Sequence, residues 1–228
     1  MRGSIAQAGP GRPRGQHNHA LPPPRSAFVN ILAHALIAHQ AGCSLVGNLL
    51  GDFVRGAPPA QLSPGWQRGI RLHRRVDGFV DAHAASAASV ARLPAARRRW
   101  ARVALDVYYD HLLARDFARY SDRPLPEFAA QTYAALAAAS AQLPARMVRF
   151  ADFMTERDLL VGYGDPDVIA EVLARMSARV RRQNPLADVF PDLQAVDAGL
   201  ARDFAVLFPA TLDFARAEVA ARPAERSR

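Results

Sequence analysis

The sequence predicts an all-α protein, a single-domain bundle of about eight or nine helices. Three observations carry this reading. Ala, Leu and Arg dominate the 228 residues, and all three favour helix. Apolar residues recur at helical spacing, and no run of alternating Val, Ile and Thr reads as a strand. Pro, Ser, Asp and Gly fall where helices would start and stop. Half the residues are hydrophobic, enough for a chain of this length to bury one core.

The elements follow in order. Residues 1–26 end in Leu21-Pro22-Pro23-Pro24-Arg25-Ser26 and read as a disordered basic arm. Val29 just beyond it could serve as a start, which would make the arm a start-site artefact. The helical domain is expected over 27–221. Its first helix spans Ala27 to Gln40 and is broken by Gly42. Ser44 caps a second helix, expected to reach about Arg55. Gly56 to Pro64 is a loop rich in Pro and Gly. Ser63 or Pro64 opens a third helix to about Val80, and a short one is expected over Ala84 to Leu93. Pro94 suits the first turn of a long helix from Ala95 to about Tyr120. Pro124 and Pro126 start the next helix, to about Gln142, and Pro144 another, to about Arg157. Asp165-Pro166 is a cap and first-turn pair for a helix to about Arg182. A final long helix is expected from Pro191 to about Val219, bent at Pro209. Residues 222–228 read as a frayed end.

Charge and cysteine usage narrow the class. The formal charge is +8, and all 29 basic side chains are Arg. Arg2, Arg12, Arg14 and Arg25 supply half of that net charge from a segment without an acid. The body is therefore mildly basic, enough to steer an acidic macromolecule. Aromatic and basic residues are not interleaved as in a nucleic-acid module, so no nucleic-acid partner is expected. Cys43 is the only cysteine, which excludes an intrachain disulfide and fits a reducing cytoplasm. No run of about 18 apolar residues reads as a membrane span, and the N-terminus lacks the apolar stretch of a secretory signal.

Three clusters carry chemistry. The first joins Asn30-Ile31-Leu32-Ala33-His34 to Gly47-Asn48-Leu49-Leu50-Gly51-Asp52-Phe53-Val54-Arg55-Gly56. Asp52 in an apolar segment needs a partner if buried, and a cation would serve; a surface position near a helix end is the alternative. His34 reads either as a ligand or as a satisfied core histidine. The second runs from His73 through Arg74, Arg75 and Asp77 to Asp81 and His83. His73 and Asp77 share a helix face, and Asp77 and Asp81 repeat the spacing. Such a pair can hold a divalent ion or form an ion pair. Arg74 and Arg75 could meet a phosphate or simply face solvent. The third is Leu105-Asp106-Val107-Tyr108-Tyr109-Asp110-His111, ending in Arg115 and Asp116. Asp106 and Asp110, four apart on an apolar helix, repel unless a metal or an Arg compensates. Carboxylates and imidazoles without thiolate suit Mn²⁺, Mg²⁺ or Fe²⁺ better than structural zinc.

These motifs, in this order, resemble the acyl carrier protein phosphodiesterase family, which is related to the HD-type metal phosphohydrolases. The resemblance covers Val29 to Phe208. Ile31 stands where the family has Phe, Val80 where Thr is common, and residues 1–28 have no counterpart. The resemblance implies an HD-like all-α fold and a divalent metal, typically Mn²⁺. It also implies hydrolysis of the phosphodiester joining 4′-phosphopantetheine to the serine of holo-acyl carrier protein, a small acidic protein partner. It places the metal among His34, Asp52, His73, Asp77, Asp106, Asp110 and His111. Asp52, Asp110 and His111 are expected to be catalytic, with Arg74, Arg75 or Arg115 facing phosphoryl charge. Arg68 to Arg75 and Arg97 to Arg102 are the expected docking stretches. A hydrolase of nucleotides or other small phosphodiesters, or a non-catalytic carrier-protein binder, would carry similar motifs.

Overall fold

The structure, a computed structural model, describes residues 30–221; the expected arm over 1–26 and tail over 222–228 lie outside them. The described residues form eleven α-helices and no strand. Helix α1 (Ile31–Gln40) is buried from Ile31 through Ala38, on every side. A helix apolar all round belongs at the centre of a bundle. Helix α5 (Ala101–Arg115) is its central partner, buried at Leu105 and from Val107 through Ala114. Fully buried Leu32, Leu36, Tyr108 and Leu112 form the middle of one core, each stabilising the fold by about 1.5–3 kcal/mol relative to exposure.

Around this pair the remaining helices are set by caps and prolines. Ser44 caps α2 (Leu45–Leu49) by accepting from the Gly47 amide, as expected. Ser63 caps α3 (Pro64–Ala82), whose first residue is proline. His83 caps α4 (Ala84–Arg92) through its ring nitrogen. Helices α6 (Leu125–Ala139) and α7 (Ala145–Glu156) follow prolines. Asp165 caps α9 (Pro166–Arg179). Helices α10 (Phe190–Ala195) and α11 (Asp197–Ala221) close the chain, with Pro209 inside the latter.

Several boundaries differ from the sequence reading. The second helix stops at Leu49 and tightens into a 3₁₀ turn over Leu50–Asp52. The Arg74 guanidinium takes up the Val54 and Gly56 carbonyls, so the segment does not need helical partners. The long helix from Ala95 begins only at Ala101, after a 3₁₀ turn over Ala95–Arg97 and a non-helical Trp100. There the Arg98 side chain donates to the Ala91 and Leu93 carbonyls at the end of α4. A short helix not expected from the sequence, α8 (Leu159–Gly162), follows Asp158, whose left-handed backbone (φ 45°) ends α7. Aspartate tolerates that conformation better than most residues. The final helix is split at Val196 into α10 and α11.

Glycines let α2 and α3 cross closely. A Cβ at Gly69 would stand 2.5 Å from the Asn48 amide nitrogen, and one at Gly47 2.5 Å from the Trp66 Cα. Real side chains do not fit such gaps, so backbone packs on backbone here. A Cβ at Gly51 would meet the His73 ring at 2.3 Å. The three glycines thus bring Asn48, Asp52 and His73 against α1.

Candidate metal centre

The N-terminus of α1 is fixed from a distance. Asn30 precedes it in a left-handed conformation and gives no side-chain cap. The free amides of Leu32 and Ala33 instead donate to the two carboxylate oxygens of Asp110 on α5, both at 2.9 Å. A carboxylate also suits the positive end of the helix dipole. Asp110 is fully buried, and burial pushes its pKa up to about 7, against the two amide hydrogen bonds that lower it. This clasp sets the rotation of α1 and so the place of His34, one turn along.

His34 is buried, with Nδ1 3.0 Å from the Asn48 Oδ1 and Nε2 3.1 Å from the Asp77 Oδ1. The amide oxygen assigns the proton to Nδ1. Nε2 of the neutral ring then points a lone pair at a carboxylate, a contact that either a proton or a metal ion between them would satisfy. The His73 ring stacks on His34 with centroids 3.9 Å apart. Its Nε2 lies 3.4 Å from the Asp77 Oδ2 and 3.5 Å from the Asp52 Oδ1. Nitrogen or oxygen atoms of His34, His73 and Asp77 all fall within 4.8 Å of one another, a group able to hold a metal ion.

The surroundings fit a cation. Burial opposes protonation of His34, but the hydrogen bond and charge of Asp77, then the charges of Asp52 and Asp110, raise its pKa. Asp106 enters the same field from α5. Burial, then the charge of Asp77, holds its pKa well above the usual carboxylate range, although His34 pulls it down. The Asp52 Oδ2 and the His73 Nδ1 are buried without a hydrogen-bond partner among the described residues. Two stacked imidazoles cannot both carry a proton cheaply, whereas one divalent ion would answer both rings and both carboxylates. Imidazole nitrogens and carboxylate oxygens are donors that a divalent metal ion accepts.

Of the residues singled out in the sequence, His34, Asp52, His73 and Asp77 meet in one place, with Asp106 in electrostatic reach. Asp110 turns to the α1 amides. The His111 Nδ1 donates to the Tyr163 carbonyl at 2.8 Å, toward the turn after α8. The three candidate phosphate arginines are engaged elsewhere. Arg74 holds the Val54 and Gly56 carbonyls, Arg75 pairs with Glu218, and Arg115 pairs with Asp197. Asp81 of α3 pairs with Arg102 of α5. Sequence reasoning gave no role to Asn48, Gly47, Gly51 or Gly69. The available signal was Gly69, a glycine inside a helical pattern, which usually has a packing reason.

Comparison with known proteins gives the chain's family. The family model described as acyl carrier protein phosphodiesterase matches residues 29–211. A protein of that name from Salmonella paratyphi A is 36% identical over 192 residues, covering 79% of this chain and 94% of its own length. Its counterparts from Salmonella dublin and Escherichia coli O157:H7 are 37% and 36% identical with the same coverage. No solved structure gives a significant match. On this span and identity, the chain belongs to the acyl carrier protein phosphodiesterase family.

Proposed function

We propose that the protein hydrolyses the phosphodiester between 4′-phosphopantetheine and the serine of holo-acyl carrier protein, with a divalent cation, Mn²⁺ before Mg²⁺ or Fe²⁺. The carrying observation is the convergence of His34, His73 and Asp77 within 4.8 Å in a chain of this family. Their Nε2 atoms and a carboxylate oxygen would hold the cation, with Asp52 beside His73 completing the set. A bound divalent ion supplies Lewis-acid polarisation of the phosphoryl group and acidifies a water.

The chain's own side chains do the rest. Asn48 keeps the His34 Nε2 turned to the centre. Asp106, on α5 in electrostatic reach of this centre, would protonate the departing serine Oγ. Asp110 and His111 act as positioning residues, one through α1 and the other through the Tyr163 turn. Arg74 holds the segment after Asp52, and so sets that carboxylate. Kinship with HD-type metal phosphohydrolases is part of the proposal, supported by an all-helical body that closes histidines and carboxylates on one point. So is a cytoplasmic setting, supported by the single cysteine. No helix among the described residues is long and apolar enough to cross a membrane.

The test is incubation with holo-acyl carrier protein and Mn²⁺, read by intact mass. The expected result is loss of the mass of 4′-phosphopantetheine, abolished by chelator and restored by Mn²⁺. His34→Ala and Asp77→Ala should each lower the rate at least about 100-fold. No loss of mass with any of the three cations sinks the proposal.

A further inference from the structure

A cleft lies where α7, α8 and α9 meet, and no residue of the metal centre lines it. Helix α9 turns one face to it: Val168, Glu171, Val172 and Arg175 recur at i, i+3, i+4 and i+7. Helix α7 adds Phe153 and Arg157, one turn apart. The left-handed turn at Asp158 then starts α8 at once, and Leu159 joins the lining. The cleft holds about 240 Å³, below the roughly 300 Å³ at which pockets for drug-sized ligands begin. It has room for a short chain and not for a large molecule.

The lining divides by chemistry. Phe153, Leu159, Val168 and Val172 are apolar, and Arg157, Glu171 and Arg175 are charged. The two guanidiniums lie 5.5 and 5.7 Å from the Phe153 ring centroid, so one aromatic ring gathers both cations. Glu171 does not serve them equally. Its Oε1 accepts from the Arg175 Nε at 2.8 Å and Nη2 at 2.6 Å. The Arg157 Nη1 reaches the same oxygen only at 3.4 Å, beyond the usual range of such a bond. Two cations thus face one anion, and Arg157 keeps donors for another acceptor. All three side chains are about half exposed, so they can turn to a ligand without stranding a buried charge.

We propose that this cleft binds a small amphipathic anion, a carboxylate or phosphate head on a short hydrocarbon tail. The head lies on Arg157, whose planar fork of N–H donors matches the oxygens of either group. The tail covers Phe153, Leu159, Val168 and Val172 and adds affinity by leaving water. Glu171 repels the head, so the affinity is modest and removal of its charge is a gain. The site needs neither the metal centre nor the reaction proposed for it.

The test is titration calorimetry of the full chain, at low salt and without metal, with octanoate and with octyl phosphate. The tighter of the two identifies the head. That ligand should bind wild type at least about tenfold more tightly than acetate or inorganic phosphate, which carry the head alone. Octylammonium, with the same tail and the opposite charge, should bind at least about tenfold more weakly. Arg157→Gln should weaken the ligand at least about fivefold. Glu171→Gln should strengthen it at least about threefold, a gain that a folding defect cannot mimic. Arg71→Gln, an equal loss of charge on α3, should bind as wild type does. The proposal is overturned if neither octyl anion binds, or if either the tail or the sign of the head makes no difference. Unchanged affinity in Arg157→Gln, a loss in Glu171→Gln, or an equal loss in Arg71→Gln would also overturn it.

Discussion

At the scale of single residues, Asp110 separates two roles that its motif does not distinguish. Its sequence neighbourhood reads as a metal ligand, yet both oxygens are spent on the Leu32 and Ala33 amides. Asp110→Ala would leave two buried donors unpaired and open a small void, costing about 2–4 kcal/mol. Thermal or denaturant unfolding checks this, and a loss of activity without a loss of stability would return Asp110 to the chemistry. The sequence showed which residue types gather but not which way each turns. On α5, Asp106 and Asp110 are one turn apart on the same face and both lie in the field of His34, but only Asp110 clasps the backbone of α1. Only the packing of α1 decides between those ends.

At the scale of elements, helix starts were readable because they rest on local chemistry. Ser44, Ser63 and Asp165 cap where a polar side chain precedes an apolar run. The ends were less readable, since tertiary partners set them. The early stop of the second helix depends on Arg74, twenty residues away, holding the Val54 carbonyl. The close crossing of α2 and α3 likewise rests on Gly69, whose role appears only when α2 is laid against it. Gly69→Ala would press a methyl into the Asn48 and Gly47 backbone, and should destabilise the protein by about 1–3 kcal/mol. It should also weaken cation binding, as Asn48 draws back from His34. Calorimetric unfolding with and without Mn²⁺ measures both, and an unchanged midpoint would mean the helices part freely.

At the scale of the whole molecule, α11 is tied across the bundle by ion pairs of graded burial. The Asp203 carboxylate accepts from the Arg92 guanidinium and the Ser89 hydroxyl. The Arg92 hydrogen bond, then the Ser89 bond, holds its pKa below the usual range despite burial. A depressed carboxyl pKa stabilises the fold above the unfolded value near 3.9 and loses that contribution as pH falls through the folded value. Asp203→Asn should therefore be less stable than wild type at pH 7, and the gap should narrow below about pH 4. A gap that is constant with pH would assign the pair no electrostatic role. The clasp between Asp110 and α1 joins residues 78 positions apart. Chains emerge from the ribosome N-terminus first, so α1 is made with its leading amides unanswered until α5 appears. The first three helices can gather their histidines, but the rotation of α1 lacks the hold of Asp110 until then. The clasp on α1 is therefore completed only once about half of the chain has been synthesised.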